Sequence, residues 1–347
     1  MPSRRWPSRE GFTADVVGGL FKSTALAPSL TLPLYILSQY TQRGQSIASA
    51  RPQALKTLKI LLAIGLVRSF NGLINRIALN HGTSDTYNWK SEIAIVTGGS
   101  DGIGRRVAVL LAAQGVKVAV LDIQPLKYHP PANIRYFNCD IGSPEAVSAA
   151  AAQVREAYGE PTILINNAGI AKGTTILDGT EASTRQIFDV NTLSHYWLAR
   201  EFLPKMVQRN HGMVVTVASQ AGYIVSANMV DYSASKSAAV TFHEGLTTEL
   251  VTRYKAPKVR TVLISQGFAR TYLSRDLNPE DTFFQPLLEP ETVAEALVKQ
   301  VLTGSSGQVM VPGSTGFFAR NLRSFPYWFQ NNVRDACEKL MRPPHLR

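Results

Sequence analysis

The 347-residue chain is poor in cysteine, having only Cys139 and Cys337, and it lacks any run of eighteen apolar residues. Two isolated thiols support neither a disulfide framework nor a cysteine-based zinc site; they read as buried or bystander groups in a reducing compartment, and no metal site is expected. The missing long apolar run argues against a polytopic membrane protein. There is no Gly-X-Y period, internal repeat or low-complexity tract, and with 45% hydrophobic residues the chain is too apolar to be intrinsically disordered. Asp15 and Lys22 interrupt any secretory h-region. What remains is a chain long enough for a substantial core, arranged as two domains or as one domain with an extension.

A net charge of +11 raises nucleic acid as a partner, so its location matters. Residues 1–90 hold 11 basic and 3 acidic side chains, residues 312–347 hold 6 and 2, and residues 91–311 hold 19 and 20. The middle is near neutral and the flanks are basic. No nucleic-acid reader motif accompanies them, so nucleic acid is not an expected partner.

From residue 91 onward, β-branched runs alternate with segments of 3.6-residue apolar period. The runs cover residues 92–97, 116–121, 134–137, 162–165, 213–217, 259–264 and 308–311. Helices are predicted over 103–114, 144–158 and 290–302, each followed by a glycine: Gly115, Gly159 and Gly304. This alternation predicts an α/β protein with a Rossmann-type doubly wound parallel sheet of about seven strands. The expected division is a basic N-terminal extension (1–90), a nucleotide-binding domain (91–312) and an aromatic, basic tail (313–347).

In the extension, Pro28 and Pro33 make residues 25–37 a poor continuous helix. Residues 54–79 form a better one, with Leu55, Leu58, Leu62, Leu66, Leu73 and Ile77 on a broad apolar face and Lys56, Lys59, Arg68 and Arg76 interrupting it. Its longest apolar run, residues 60–67, is too short to span a bilayer. Such a helix suits a membrane interface, or packs on the domain or a second subunit with its basic stems along the edge.

After the first predicted strand, residues 97–104 read Thr-Gly-Gly-Ser-Asp-Gly-Ile-Gly. Glycines at 98, 102 and 104 allow a tight turn and close backbone approach to a pyrophosphate at a helix N-terminus, making Gly98, Ser100, Gly102, Ile103 and Gly104 candidate cofactor contacts. Asp122, ending the next strand, would bind ribose hydroxyls and repel a 2′-phosphate. NAD(H) is therefore favoured; Arg105 and Arg106 keep NADP(H) open, although they read as solvated residues of the first helical turn. Farther along, Tyr232 and Lys236 share a helix face, and Ser219 follows a strand at the end where parallel sheets bind ligands. Hydride transfer to or from an alcohol needs a proton relay; Tyr232 supplies it with its pKa lowered by Lys236, while Ser219 binds the same substrate oxygen.

With Asn166-Asn-Ala-Gly169 and Asn191 in the same order and spacing, residues 91–312 resemble the short-chain dehydrogenase/reductase family. The resemblance implies a tetrad of Asn191, Ser219, Tyr232 and Lys236: Tyr232 as acid/base, Lys236 on the nicotinamide ribose, Asn191 holding a water. It places Asp140 near adenine, has Asn166 steady sheet and cofactor with Asn167 a cofactor contact, and sets Ala269 and Thr271 on the nicotinamide. Gln266-Gly267 departs from the family's usual Pro-Gly, which relaxes that backbone and restores an N–H. Residues 191–204 and 231–244 resemble the branch of retinol dehydrogenases and 17β-hydroxysteroid dehydrogenase-like enzymes. That branch implies attachment to endoplasmic reticulum or lipid-droplet membranes inside the cell. His195 and His243 read as packing or surface histidines.

Tyr272, Leu273, Leu277, Phe283, Phe284, Leu287 and Leu288 form an expected apolar lid for a lipophilic alcohol or carbonyl compound such as a retinoid, steroid, fatty alcohol or polyketide; they also fit a plain core cover. Phe317, Phe318, Phe325, Tyr327, Trp328 and Phe329, with Arg320, Arg323 and Arg334, suit a membrane interface, a cap on the cleft or a subunit contact. The sequence thus reads as an NAD(P)-dependent oxidoreductase on a lipophilic substrate, with a homodimer left open. The competing reading is a non-catalytic dinucleotide-binding membrane adaptor.

Overall fold

A computed structural model describes residues 8–274 and 283–338. Four helices come first: α1 (Ala14–Ser23), α2 (Pro28–Tyr40), α3 (Gln42–Ala50) and α4 (Pro52–Leu79). Strands and helices then alternate through β1 (Ile93–Thr97), α5 (Gly102–Ala112), β2 (Lys117–Asp122), β3 (Ile134–Asn138), α6 (Pro144–Tyr158), β4 (Ile163–Asn166), α7 (Glu181–Phe188) and α8 (Ser194–Arg209). They continue with β5 (Gly212–Val217), α9 (Val230–Thr252), β6 (Val259–Gln266), α10 (Pro290–Val301) and β7 (Gly307–Val311), and the chain ends in α11 (Gly313–Asn321) and α12 (Tyr327–Glu338). The seven strands form one parallel sheet in the order β3-β2-β1-β4-β5-β6-β7. The expected doubly wound sheet is therefore present, with its switch point between β1 and β4.

Strand residues alternate between two cores, as the period-2 pleat requires. On one face Ala94, Val96, Val118, Val120, Ile163 and Ile165 meet Val107 and Leu111 of α5 and Val293, Leu297 and Val301 of α10. On the other, Ile95, Ala119, Leu121 and Leu164 meet Val147 and Val154 of α6, Leu198 and Phe202 of α8 and Leu246 and Leu250 of α9. This packing leaves the carboxyl ends of the strands open at the switch point.

The N-terminal helices depart from expectation in two ways. Residues 28–40 form a continuous helix despite two prolines. Pro28 stands in the first turn, where its missing N–H costs nothing, and Pro33 removes a single ladder bond near that end. Second, α4 is long and apolar enough to cross a membrane, with a mean hydropathy of 1.5 over its best window. Counting only uninterrupted apolar residues understated this, because Lys59 and Arg68 bound the run while Phe70, Leu73, Ile74 and Ile77 keep the helix apolar beyond Arg68. At 1.5 Å per residue α4 is about 42 Å long.

Packing on α4 is sparse. Only Leu62 and Gly65 are buried, where the segment leading into α2 crosses the helix; a Cβ at residue 65 would stand 2.8 Å from the Leu26 carbonyl oxygen. Residues 66–78 are exposed all round, Val67 at 70% and Phe70 at 64%. The C-terminal end, by contrast, is bolted to the base of the sheet. Buried Arg260 donates to the Asn80 carbonyl at 3.1 Å and the Thr83 carbonyl at 3.0 Å, and the Ser306 N–H donates to Asn80 Oδ1 at 3.0 Å.

Candidate active site

The glycine turn between β1 and α5 is shaped by close approach. Gly98 and Gly102 have φ of +66° and +56°, which favour glycine. At Gly104, a Cβ would stand 2.1 Å from the Gly98 carbonyl oxygen and 2.5 Å from Asn167 Nδ2. Asn167 braces this turn: its Nδ2 donates to the Thr97 carbonyl at 2.9 Å, and its backbone N–H donates to Thr97 Oγ1 at 2.9 Å. The bracing expected of Asn166 falls to Asn167. The buried Asn166 amide has no hydrogen-bond partner among the described residues. Thr97, whose hydroxyl also accepts from the Ala168 N–H at 3.0 Å, was missed because one threonine at a strand end carries no distinctive signal.

Asp122 ends β2 as expected. Its two carboxylate oxygens accept from the Ser100 and Gln124 N–H groups, both at 3.0 Å, so the anion is held at the cavity wall. Asp140 accepts from the Gly142 N–H at 2.9 Å and lines the same cavity. The arginines are not simply solvated: Arg105 lies 5.0 Å above the Tyr128 ring and Arg106 pairs with Glu291 at 2.5 Å. Both also line the cavity, and Arg105 Nε has no hydrogen-bond partner among the described residues.

Ser219, Tyr232 and Lys236 converge at the carboxyl end of β5, all buried. Ser219 Oγ donates to the Gln266 carbonyl at 3.2 Å and accepts from the Ala221 N–H at 3.1 Å, and it lies near enough to the Tyr232 phenol to favour its ionised form. Lys236 Nζ donates to the Val217 carbonyl at 2.9 Å and stands 5.9 Å from the centre of the Tyr232 ring. The expected lowering of the Tyr232 pKa is overturned. Burial pushes the phenol above its usual value, with nearby Ser219 only partly offsetting it, and burial draws the Lys236 ammonium down to about 8. At this separation the lysine does not outweigh desolvation.

Asn191 sits in a π-helical turn, Asp189–Leu193, before α8. Its amide bridges three groups: Oδ1 accepts from the Ile170 N–H at 2.8 Å, while Nδ2 donates to the Ile170 carbonyl at 2.9 Å and Ser235 Oγ at 3.0 Å. The side chain therefore ties the segment after β4 to α9 and is already engaged in protein bonds. His195 and His243 are buried packing histidines, which burial holds down to about 3 and about 4.

A cavity of about 1230 Å³ connects these groups. It runs from Gly98, Ser100, Gly102, Ile103, Gly104, Asp122 and Asp140 past Asn167 to Ser219, Tyr232, Lys236, Ala269 and Thr271. Asn191 touches it only through the segment it holds. Ala269 pairs with Leu288, and Tyr272, Leu273 and Pro286 extend the wall; Leu277 of the expected lid lies outside the described residues. Pro312, Thr315 and Cys337 close the far side. Thr315 and Cys337 bring α11 and α12 to the cleft, whereas none of the tail's named aromatic or arginine side chains lines it, and Phe317, Phe318, Tyr327 and Trp328 are exposed. Among the described residues no group of three metal-ligating side chains occurs.

The cavity fits a dinucleotide. Glycines remove side chains where backbone N–H groups at the start of α5 must approach a diphosphate, and an anchored carboxylate stands at the end of β2. Comparisons with known proteins agree. The short chain dehydrogenase family model matches residues 92–282. The chain is 44% identical over 207 residues to dehydrogenase RED2 of Cochliobolus heterostrophus, covering 59% of this chain and 78% of that one. It is 35% identical over 246 residues to estradiol 17-beta-dehydrogenase 11 of Rattus norvegicus, covering 69% and 81%. Among solved structures, ligand-free Thermoplasma acidophilum aldohexose dehydrogenase superposes with a TM-score of 0.57 at 24% identity, covering 65% of this chain and 93% of that one, which bears on the fold. The chain belongs to the short-chain dehydrogenase/reductase family, in its retinol and 17β-hydroxysteroid dehydrogenase-like branch, and is an NAD(P)-dependent oxidoreductase acting on CH–OH groups.

Proposed function

We propose that the protein interconverts a hydroxyl and a carbonyl on a lipophilic substrate at a membrane surface, using NAD(H) in preference to NADP(H). The carrying observation is that buried Ser219 and Tyr232, with Lys236 one helical turn on, line one cavity that reaches the glycine turn. Bound nicotinamide supplies the hydride acceptor or donor. Ser219 holds the substrate oxygen, and Tyr232 accepts its proton during oxidation or returns one during reduction. Lys236, held by the Val217 carbonyl, is placed to stabilise the tyrosinate when charged. Asn191 acts by fixing Ile170 and Ser235 around the site; Ala269 and Thr271 form the nicotinamide wall, and Gly98 to Gly104 with Asn167 form the diphosphate cradle. Asp122 sets the cofactor preference, since its anchored carboxylate repels a 2′-phosphate.

The substrate class follows from the apolar wall at Ile224, Met229, Tyr272, Leu273 and Pro286, and is in keeping with a relative named for estradiol. The membrane reading rests on α4 and on charge. No acidic residue occurs between Asp15 and Asp85, whereas Lys22, Arg43, Arg51, Lys56, Lys59, Arg68 and Arg76 do. An apolar helix exposed all round within a purely basic segment matches an anionic lipid surface. On this reading residues 1–90 are the anchor, 91–312 the catalytic domain and 313–347 the C-terminal tail beside the cleft.

The test is an assay of the purified full chain with NAD(H) and NADP(H) against alcohols and ketones of increasing apolar size. Turnover that rises with apolar size and is faster with NAD(H) is expected. No turnover across the panel, or a preference for small polar substrates, overturns the reading.

A further inference from the structure

The first described residues are bound to the rim of the cavity, far from the anchor to which they lead. Arg9 forms a two-pronged ion pair with Glu295 of α10 at 2.9 and 2.6 Å. Glu10 Oε1 accepts from the Glu289 N–H at 3.1 Å and from Thr292 Oγ1 at 2.5 Å. Phe12 packs on Phe283 with ring centres 5.8 Å apart, and the Ala14 N–H donates to the Phe283 carbonyl at 2.9 Å. Asp15 accepts from the Gly313 and Ser314 N–H groups at 2.7 and 2.6 Å.

These bonds supply what α10 and α11 lack. Neither Glu289 nor Pro312 caps its own helix with a side chain, so the Glu289 N–H at the start of α10 and the Gly313 and Ser314 N–H groups of α11 are satisfied from the chain's beginning. Each capped end lies one step from the chemistry. Leu288, next to Glu289, exchanges backbone bonds with Phe268 and Arg270 at 2.8 and 2.7 Å, and Glu289 accepts from Arg270 at 3.0 Å. The Pro312 carbonyl accepts from Gln220, the neighbour of Ser219, at 3.1 Å. Pro290, Pro312 and Thr315 themselves line the cavity.

We propose that residues 9–15 are a strap that sets the width of the substrate entrance, with Glu10 and Asp15 as positioning residues for the two walls, α10 on the nicotinamide side and α11 on the Ser219 side. This rests on the reading of the cavity as an oxidoreductase site for a lipophilic substrate. The strap runs directly into α1 and the apolar helices behind it, so the entrance is tethered to the lipid-facing part of the chain. Long substrates, which must pass between the walls, depend on it; small ones do not.

The experiment compares the full chain with the double variant Glu10→Ala, Asp15→Ala, using a long-chain secondary alcohol and butanol. KM for the long alcohol should rise roughly tenfold, with kcat and NAD(H) affinity within about twofold and KM for butanol unmoved. Asp15→Asn, which keeps a capping oxygen, should recover most of its share. Equal changes for both alcohols, an unmoved KM, or a cofactor affinity that falls in step overturns the proposal. Should the double variant fail to fold, Phe12→Ser, at a 72% exposed position, must show the same split. Should the wild type turn over neither alcohol, the oxidoreductase reading fails separately. Amide exchange then judges the strap: faster exchange at residues 268–271 and 220 with β4 and β5 unchanged supports it, and unaltered exchange overturns it.

Discussion

The sheet domain and the helices α2–α4 are built from similarly apolar sequence but satisfy it differently. In the sheet domain nearly every strand side chain is covered by α5 and α10 on one face or by α6, α8 and α9 on the other. In α4, Leu66, Val67, Phe70, Leu73, Ile74 and Ile77 are all exposed. Burial of apolar area stabilises a fold at about 25 cal/mol per Å², so the first region is stable by its own packing while the exposed stretch of α4 gains its stabilisation only from outside. Charge follows the same division, near balance in the first and wholly basic from residue 16 to residue 84 in the second. The contrast assigns chemistry to one region and location to the other, and experiments can separate the two.

The largest expected effect belongs to the sheet domain. Tyr232→Phe removes the proton-carrying hydroxyl while keeping the ring's packing, and should lower kcat by roughly 10²–10⁴-fold with flotation on anionic vesicles unchanged. A variant that keeps full kcat would sink the proposed relay. The mirror experiment charges the free helix. Phe70→Asp with Ile74→Asp forfeits about 1.5 kcal/mol per side chain at a lipid surface, weakening vesicle partitioning by roughly 10²-fold. The melting temperature should stay put, because neither side chain packs on the protein. If flotation persists, α4 is not the lipid-facing element.

A third change tests the joint between the regions. Arg260 carries four hydrogen bonds to Asn80, Thr83 and Pro257. Arg260→Met keeps bulk but strands the Thr83 carbonyl and removes one of three donors from the Asn80 carbonyl, at a cost of about 1–3 kcal/mol. Chemical denaturation should show that loss, while kcat per folded molecule holds. A stability equal to wild type would mean that the linker is held by other contacts.

Sequence reasoning reached the parts of this protein that obey local rules. Seven strands announced themselves through β-branched runs, the cradle through glycines whose spacing a turn demands, and Tyr232 with Lys236 through one helical turn. What it missed is nonlocal or collective. The Glu10 and Asp15 caps pair residues 279 and 298 positions apart, and carboxylates so placed look like any others. Tyr232 was expected to be acidified because spacing reveals a neighbouring charge but not the depth of burial that outweighs it. The Pro33 helix was missed because propensity weighs one lost bond without the packing of α2 on α4 that offsets it. Asn166 and Asn167 are chemically identical neighbours, and only the pleat of β4 decides which of them faces the glycine turn.

His211 gives the smallest effect and the finest test of the joint. Its Nε2 approaches Glu92 at 3.4 Å and its Nδ1 meets Asp85 at 2.7 Å, joining the linker before β1 to the start of β5. Glu92 and Asp85 raise the imidazole pKa against the cost of burial. Glu92, despite its own burial, is held below the ordinary carboxylate range by His211 and by Thr162. A raised histidine stabilises fully below its unfolded pKa of about 6.5, and that contribution is lost as pH rises through the folded value. The depressed Glu92 works oppositely: its contribution is present above its unfolded value and is lost as pH falls through the folded one. The joint is therefore strongest in mildly acidic solution. The melting temperature of wild type relative to His211→Asn should be highest near pH 6 and should shrink toward pH 9, and a difference independent of pH would show that His211 holds the linker as a neutral hydrogen-bonding group.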